Sequence, residues 1–232
     1  MKKKKIDCIT RFVNKAKIKI NPSDLKNAFI HRSYLNETND ENLENNERLE
    51  FLGDAVLELV STEFLYDKYK SKTEGELTAL RSALVRGKNL SEIAEKLGIF
   101  DCLFLSKGES KTTGKAKGLI LANTIEAIIG AIYLKSGFGE ARIFIQNHIL
   151  SIIDEVISDK LYVDSKSDFQ EKVQERDKVT PHYKVVEEGG PDHNKNFVSG
   201  VYIGNKFIAK GMGTSKNQAE QDAANNAIEL EF

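Results

Sequence analysis

Tryptophan is absent from this chain of 232 residues, which holds only two cysteines, two methionines and three prolines. Two cysteines cannot staple a disulfide-rich scaffold, and Cys8 and Cys102 stand too far apart in sequence for a metal-ligand motif. They are expected as free thiols in a reducing compartment, with the cytoplasm as the default. No apolar run of eighteen occurs, so no membrane span is expected. The basic start MKKKKID leads into CITRFVNKAKIKI, which carries charge throughout and lacks the apolar core of a signal peptide. Lys2 to Lys5 read as a frayed, solvated end.

An excess of one charge is also lacking, since the net charge is −1. From Val163 onward nine Lys and Arg stand against twelve Asp and Glu, and before it 25 stand against 23. Bulk electrostatics therefore announces no polyanionic partner, and such a ligand needs a local cluster of basic residues. Hydrophobic residues at 40% and charged residues at 30% describe a soluble globular protein. The length allows one large domain or two modest ones.

The most informative stretch present is Asn46 to Leu59, NERLEFLGDAVLEL. Leu49, Leu52, Val56 and Leu59 recur at the helical period and predict a buried stripe. Glu47, Glu50, Asp54 and Glu58 recur beside it at steps of three and four. Glu50 and Asp54 lie one turn apart, about 6 Å, so their carboxylates can converge on one hard cation. Gly53 inside a helix costs about 1 kcal/mol against Ala, and such a glycine often marks the close approach of another backbone. The pattern continues through VSTEFLYDKYK to about Tyr69.

A second helix, Leu119 to Ser136, is apolar on nearly every side and is therefore central. Asn123 and Glu126 stand inside it on one face. A buried carboxylate is expensive unless it is paired, protonated or bound to metal.

Elsewhere the sequence punctuates itself plainly. Pro22-Ser23-Asp24 starts a helix with Ser23 or Asp24 as the cap. His31 reads as a packed or capping group. Thr73 with Glu76 forms a capping box before a stripe of Leu77, Leu80, Ala83 and Leu84. Asn89 or Ser91 begins another helix that stops at Gly98. Leu103 to Gly118 reads as a loop with Lys107, Lys111, Lys115 and Lys117, either a phosphate contact or a solvated surface. Gly137 to Ile157 forms one more amphipathic helix, and residues 158–163 form a polar linker.

From Asp164 the rhythm changes. SDFQEKVQERDK reads as a helix with Phe169 and Val173 inward. HYKVVEE, NFVSGVYIG and KFIAKGMG read as strands, with Gly204-Asn205 as a tight turn. TSKNQAEQDAANNAIELE reads as a helix with Ala219, Ala223, Ala227 and Leu230 inward.

These words carry a resemblance over nearly the whole chain. NERLEFLGDAVLEL resembles the signature of the ribonuclease III family almost letter for letter. His31, Ser33 and Tyr34 resemble its His-x-Ser-Tyr segment, and Gly108-Glu109 a further short segment. LANTIEA resembles its second acidic motif, with Asn123 standing where the family usually has Asp. GGPDH and SKNQAEQDAA resemble the double-stranded-RNA-binding domain. The resemblance implies an all-α endonuclease domain over residues 6–157 and a small α+β (α-β-β-β-α) RNA-binding domain over 164–232.

It also implies a metal-dependent endoribonuclease that hydrolyses phosphodiester bonds of double-stranded RNA. Glu50, Asp54, Asn123 and Glu126 are the expected ligands of Mg²⁺, with Mn²⁺ as a substitute. Asp54 and Glu126 take the central catalytic roles, and Glu47 and Glu74 are weaker cleft candidates. An amide at Asn123 offers one neutral oxygen where a carboxylate offers a charged pair, so metal affinity is expected to fall. Ser167, Gln170 and Gln174 would face one minor groove and His193 the next, while Lys216 and Asn217 meet phosphates. Phe51 would pack against a second subunit in a homodimer. Ribosomal RNA precursors and structured messenger RNAs are the implied substrates, with no membrane partner. The competing reading is a non-cleaving double-stranded-RNA-binding protein, disabled by Asn123. A nucleotide hydrolase is the poorer third, because no phosphate-cradling glycine loop precedes a helix.

Overall fold

In the computed structural model, residues 2–38, 40, 42–158, 165–191 and 195–230 are described. Two units divide the chain, Met1–Tyr162 and Val163–Phe232. The expected linker at 158–163 lies, apart from Ser158, outside the described residues.

The first unit is helical. Its elements are α1 (Lys2–Ala16), a 3-10 helix Pro22–Phe29, α2 (Arg32–Leu35), α3 (Glu47–Lys68), α4 (Glu74–Val85), α5 (Gly87–Leu97), α6 (Gly114–His148) and α7 (Ile153–Ser158). The core is built around α6, whose Ile120, Leu121, Ile125, Ile128, Ile129 and Ile132 are all buried. By length and composition α6 onward is apolar enough to cross a membrane, but 61% of its apolar window is buried inside this unit. Gly137, at φ +83°, breaks the helix in a backbone region open to glycine and splits the apolar half from the amphipathic half. The amphipathic half ends at His148, and the short α7 finishes what the sequence predicts as one helix to Ile157.

Several helix edges differ from the sequence expectation. The inner stripe of α3 is Gly53, Val56, Leu57, Val60, Ser61 and Leu65. Leu52 is half-buried and Leu59 is 57% exposed. The apolar period fits a helix rotated either way, and the backbone approach at Gly53 sets which face turns inward. The cap before Pro22 is Asn21, whose Oδ1 accepts from the Ser23 amide at 3.1 Å, rather than Ser23 or Asp24. The capping box of Thr73 and Glu76 is complete, with bonds of 2.9 and 3.3 Å. Helix α5 starts at Gly87, ahead of Asn89, because the Asn89 side chain turns back to donate to the Ala83 carbonyl at 2.7 Å. Helix α6 starts at Gly114, so the basic loop is shorter than expected.

Cys8 and Cys102, expected as free thiols, are joined as a disulfide with Cα atoms 5.2 Å apart. Ile9, Phe12 and Val13 bury one face of α1 in the core. That docking brings Cys8 onto the turn Phe100–Cys102, a proximity that no spacing in the sequence encodes.

The second unit runs α8 (Ser165–Asp177), β1 (His182–Gly189), β2 (Asn196–Ile203), β3 (Lys206–Gly213) and α9 (Lys216–Glu229). The strands form an antiparallel sheet in the order β1-β2-β3, with a turn at Gly204-Asn205. Phe169, Val173, Val201, Ala209, Ala223, Ala224 and Ala227 make its small core. Alanine on α9 lets the helix lie close on β3, where the Asn226 amide donates to the Lys210 carbonyl at 2.8 Å. Leu230, expected inward, is 67% exposed at the helix end. Strand β1 does not alternate as expected: beyond Tyr183 it is exposed on both faces, and its pairing is irregular between Val185 and Glu187.

Candidate functional site

Two helices bring the acidic residues together. Glu47, Glu50 and Asp54 come from α3, and Asn123 and Glu126 from α6. Gly53 and Gly130 let the two backbones touch, which carries the side chains one turn away to the mouth of the crossing.

Glu50 is half-buried there, and burial raises its carboxyl above the usual range. A hydrogen bond from the Asn123 amide opposes that rise, while the charges of Glu47 and Asp54 add to it. Burial pushes Glu126 up to about 7, with the charges of Asp54 and then Glu50 adding. Asp54 is exposed. Glu126 on α6 therefore feels the charges of Asp54 and Glu50 on α3, and Asn123, also from α6, bonds Glu50.

Among the described residues, no three His, Cys, Asp or Glu side chains converge tightly enough to grip an ion. The chemistry of the donor set nevertheless fits a hard divalent cation. The half-buried carboxylates of Glu50 and Glu126 and the exposed one of Asp54 offer oxygen donors that a divalent cation would draw together.

The weaker candidates stand at the edge. Glu47 is exposed, accepts from the Asn45 amide at 3.0 Å and lies 3.6 Å from Arg32. Arg32 also lowers Glu50. Sequence reasoning passed over Arg32, although it directly follows His31. Glu74 is exposed and accepts from the Thr78 hydroxyl at 3.1 Å. The charges acting on Glu126 come from Asp54 and Glu50, not from Glu74.

His31 caps α2, with Nδ1 accepting from the Ser33 amide at 3.3 Å and lying 2.8 Å from its hydroxyl. Its expected capping role therefore matches the geometry, and burial lowers its pKa. Of the loop lysines, Lys117 is paired with Glu95 at 2.9 Å, and the Lys107 amide bonds the Glu37 carboxylate. Lys111 and Lys115 are exposed.

Phe51 is 82% exposed on α3. It lines a groove of about 740 Å³ with Leu49, Leu52, Ala131 and Leu134 on one side and polar residues such as Asp24, Glu44, Arg48 and Lys135 around them.

In the second unit Ser167, Gln170 and Gln174 share the exposed face of α8, opposite Phe169 and Val173. Gln174 donates to the Thr180 hydroxyl at 3.2 Å. Lys216 and Asn217 open α9 and are exposed, behind a Ser215 cap that accepts from the Gln218 amide at 3.2 Å. His193 lies outside the described residues.

Comparison with known proteins matches residues 21–153 to the family described as Ribonuclease-III-like, and residues 165–231 to the double-stranded RNA binding motif. The protein named Ribonuclease 3 of Desulforamulus reducens is 42% identical over 209 residues, covering 90% of this chain and 85% of its own. Ribonuclease 3 of Bdellovibrio bacteriovorus is 43% identical over 213 residues, covering 91% of each chain. Among solved structures, the nuclease domain of ribonuclease III from Campylobacter jejuni superposes with a TM-score of 0.56 at 38% identity. That match covers 62% of this chain and 96% of the other, and the other was described for flexibility in a region involved in dimer formation.

Proposed function

Because this chain belongs to the ribonuclease III family, an endoribonuclease of double-stranded RNA, we propose how its residues perform that cleavage. The family is metal-dependent, and the reading here takes Mg²⁺ as the ion, with Mn²⁺ as a substitute. Glu50, Asp54, Asn123 and Glu126, which face one another from α3 and α6, would hold it. When bound, the ion supplies an activated water and stabilises charge on the phosphodiester oxygens.

The chain's own residues supply the rest. Glu126, raised to about 7 by burial and its acidic neighbours in the metal-free protein, would gain a compensating charge from a bound cation, which would hold it ionised. Asp54 adds negative charge from the opposite helix and tightens the cluster on a cation. Asn123 orients Glu50 through its amide hydrogen bond. The observation that supports this reading is the raising of Glu126 by burial and by the charges of Asp54 and Glu50 on the facing helix.

In the same proposal Ser167, Gln170 and Gln174 read one minor groove, His193 the next, and Lys216 and Asn217 meet phosphate near the start of α9. Residues 6–157 form the nuclease domain and 164–232 the RNA-binding domain. Phe51 enters the interface of a homodimer, so that two clusters cut two strands. Ribosomal RNA precursors and structured messenger RNAs are the substrates, and the cytoplasm is the compartment.

Cleavage of an end-labelled RNA duplex tests the reading, first chelated, then with Mg²⁺, then with Mn²⁺. Metal-dependent cutting that Glu126→Ala abolishes, with duplex binding intact, supports it. Cutting by Glu126→Ala refutes the site. Tight binding with no cutting in either metal favours the binding-protein reading and singles out Asn123.

A further inference from the structure

The sheet of the second unit has a face that duplex recognition leaves unused. Val201 and Ala209 point into the core beneath α8 and α9, so Gly200, Tyr202 and Lys210 project from the opposite side. The register shift after Val201, which leaves Ile208 extra and packed on the core, sets Phe207 beside Tyr202 on that outer side. The antiparallel register sorts that outer side into rows. His182 pairs with Tyr202 and Tyr202 with Phe207. In the adjacent row Lys184 pairs with Gly200 and Gly200 with Lys210.

The first row is one connected set of rings. His182 and Tyr202 stack at 5.4 Å with planes 15° apart, and Phe207 meets Tyr202 edge-on at 5.5 Å. A Cβ on Gly200 would lie 3.1 Å from the Tyr202 ring and 3.2 Å from that of Phe207. Glycine there lets both rings lie down over the middle strand. Phe207 remains 50% exposed.

Cations flank the rings. Lys184 holds Nζ 5.4 Å from the Tyr202 ring centre. Lys210 is exposed across the sheet from it. In these rows the first acid is Glu187, opposite Val198 and beyond the lysines. Exposed rings beside cations suit a ligand with flat apolar faces joined by phosphates. A duplex hides its base faces in its own stack, whereas an unpaired strand presents them.

We propose that the outer face of this sheet is a stacking platform for unpaired nucleotides of single-stranded RNA. Phe207 and Tyr202 receive bases, and Lys184 and Lys210 receive phosphates. The platform is separate from the duplex-binding residues of α8 and α9. Structured RNAs carry loops and ends beside their duplexes, so both faces have work on one substrate.

The chain lacks tryptophan, so Phe207→Trp installs a unique fluorescent reporter. In the full chain, with metal chelated to prevent cutting, a short oligoadenylate quenches that fluorescence and a blunt RNA duplex does not. Phe207→Ala weakens oligoadenylate binding about tenfold and leaves blunt-duplex affinity within about twofold. Phe207→Tyr keeps a ring and retains the affinity, which separates stacking from a folding defect. Replacing Lys184 and Lys210 together by alanine flattens the salt dependence of oligoadenylate binding. Fluorescence indifferent to oligoadenylate, or an affinity that Phe207→Ala leaves intact, overturns the proposal. Equal quenching by the blunt duplex overturns it as well, and so does a protein partner that occupies Phe207 while RNA does not. Cutting of a blunt duplex by the unaltered chain reports the nuclease independently of each of these outcomes.

Discussion

Gly53 and Gly130 face each other across the crossing of α3 and α6 with no room for a methyl group at either. A Cβ on Gly53 would overlap the Glu126 carbonyl and lie 2.8 Å from the Gly130 nitrogen. A Cβ on Gly130 would overlap the Leu49 carbonyl and lie 3.1 Å from the Gly53 nitrogen. The obstacles are backbone atoms, which cannot swing aside as a side chain does. The contact that fixes the helix crossing therefore also fixes the distance from Glu50 and Asp54 to Asn123 and Glu126.

Gly53→Ala should show this coupling. Alanine favours a helix by about 1 kcal/mol over glycine, but overpacking against backbone costs about 3 kcal/mol. A net loss near 2 kcal/mol is expected in urea denaturation. Cleavage should fall by at least about tenfold while duplex binding persists. A variant that is stabilised and fully active would show that the crossing tolerates a methyl.

Glu126 gives the metal-free protein a pH dependence. Its folded pKa of about 7 lies above the ordinary 4.5. A raised carboxyl stabilises the fold fully below the ordinary value, and that contribution is lost as pH rises through the folded value. Chelated protein should therefore lose about 2 kcal/mol between pH 4.5 and 7, allowing for screening by partial exposure. Thermal denaturation across that window should show the fall, and Glu126→Gln should flatten it. An unchanged slope in Glu126→Gln would assign the dependence to another group.

Asn123→Asp should act in opposite directions with and without metal. Without metal it replaces a hydrogen-bond donor to Glu50 by a fourth negative charge, so the melting temperature falls. With metal, the added charge should lower the Mg²⁺ concentration for half-maximal cleavage about tenfold. Metal titration of cleavage, beside melting curves in chelator, checks both signs.

The sequence made some of this legible and withheld the rest for identifiable reasons. Gly53 in an otherwise helical pattern pointed to a close backbone approach, and Gly130 is the partner it lacked. The apolar run with one acid and one amide placed Asn123 and Glu126 on one face, as the helix period requires. The buried face of α3 lies further round the helix than the apolar period alone predicts: Val56 is buried, but Gly53, Leu57 and Ser61 turn inward where Leu59 turns out. Arg32 acts through space on Glu47 and Glu50, and nothing in local spacing marks it. The pairing of Cys8 with Cys102 depends on how α1 docks, which is a tertiary fact.

Phe51 tests the homodimer. Phe51→Glu should turn a dimer into a monomer in sedimentation at micromolar concentration, because it places a charge where an 82% exposed ring needs an apolar socket. Double-strand cutting should then give way to nicking or be lost. A dimer undisturbed by the substitution would move the interface elsewhere.

The disulfide closes a stretch of 94 residues. Oxidised protein should therefore be more stable than Cys8→Ser by about 4.7 kcal/mol in the chain-entropy view. Denaturation with and without reductant measures this, and reductant should bring the unaltered chain close to Cys8→Ser. Equal stability in both conditions would show that the thiols are already free.

The long apolar helix α6 has an implication for synthesis. Its composition would serve a membrane anchor, and only burial makes it a core. Every large helix that covers it, α3 and α5 among them, precedes it in the chain. On a ribosome those partners emerge first, so the segment most prone to aggregation meets waiting surfaces as it appears. A circular permutant starting in the Gly108–Lys111 turn would reverse that order and leave the same helix bare until translation was nearly complete.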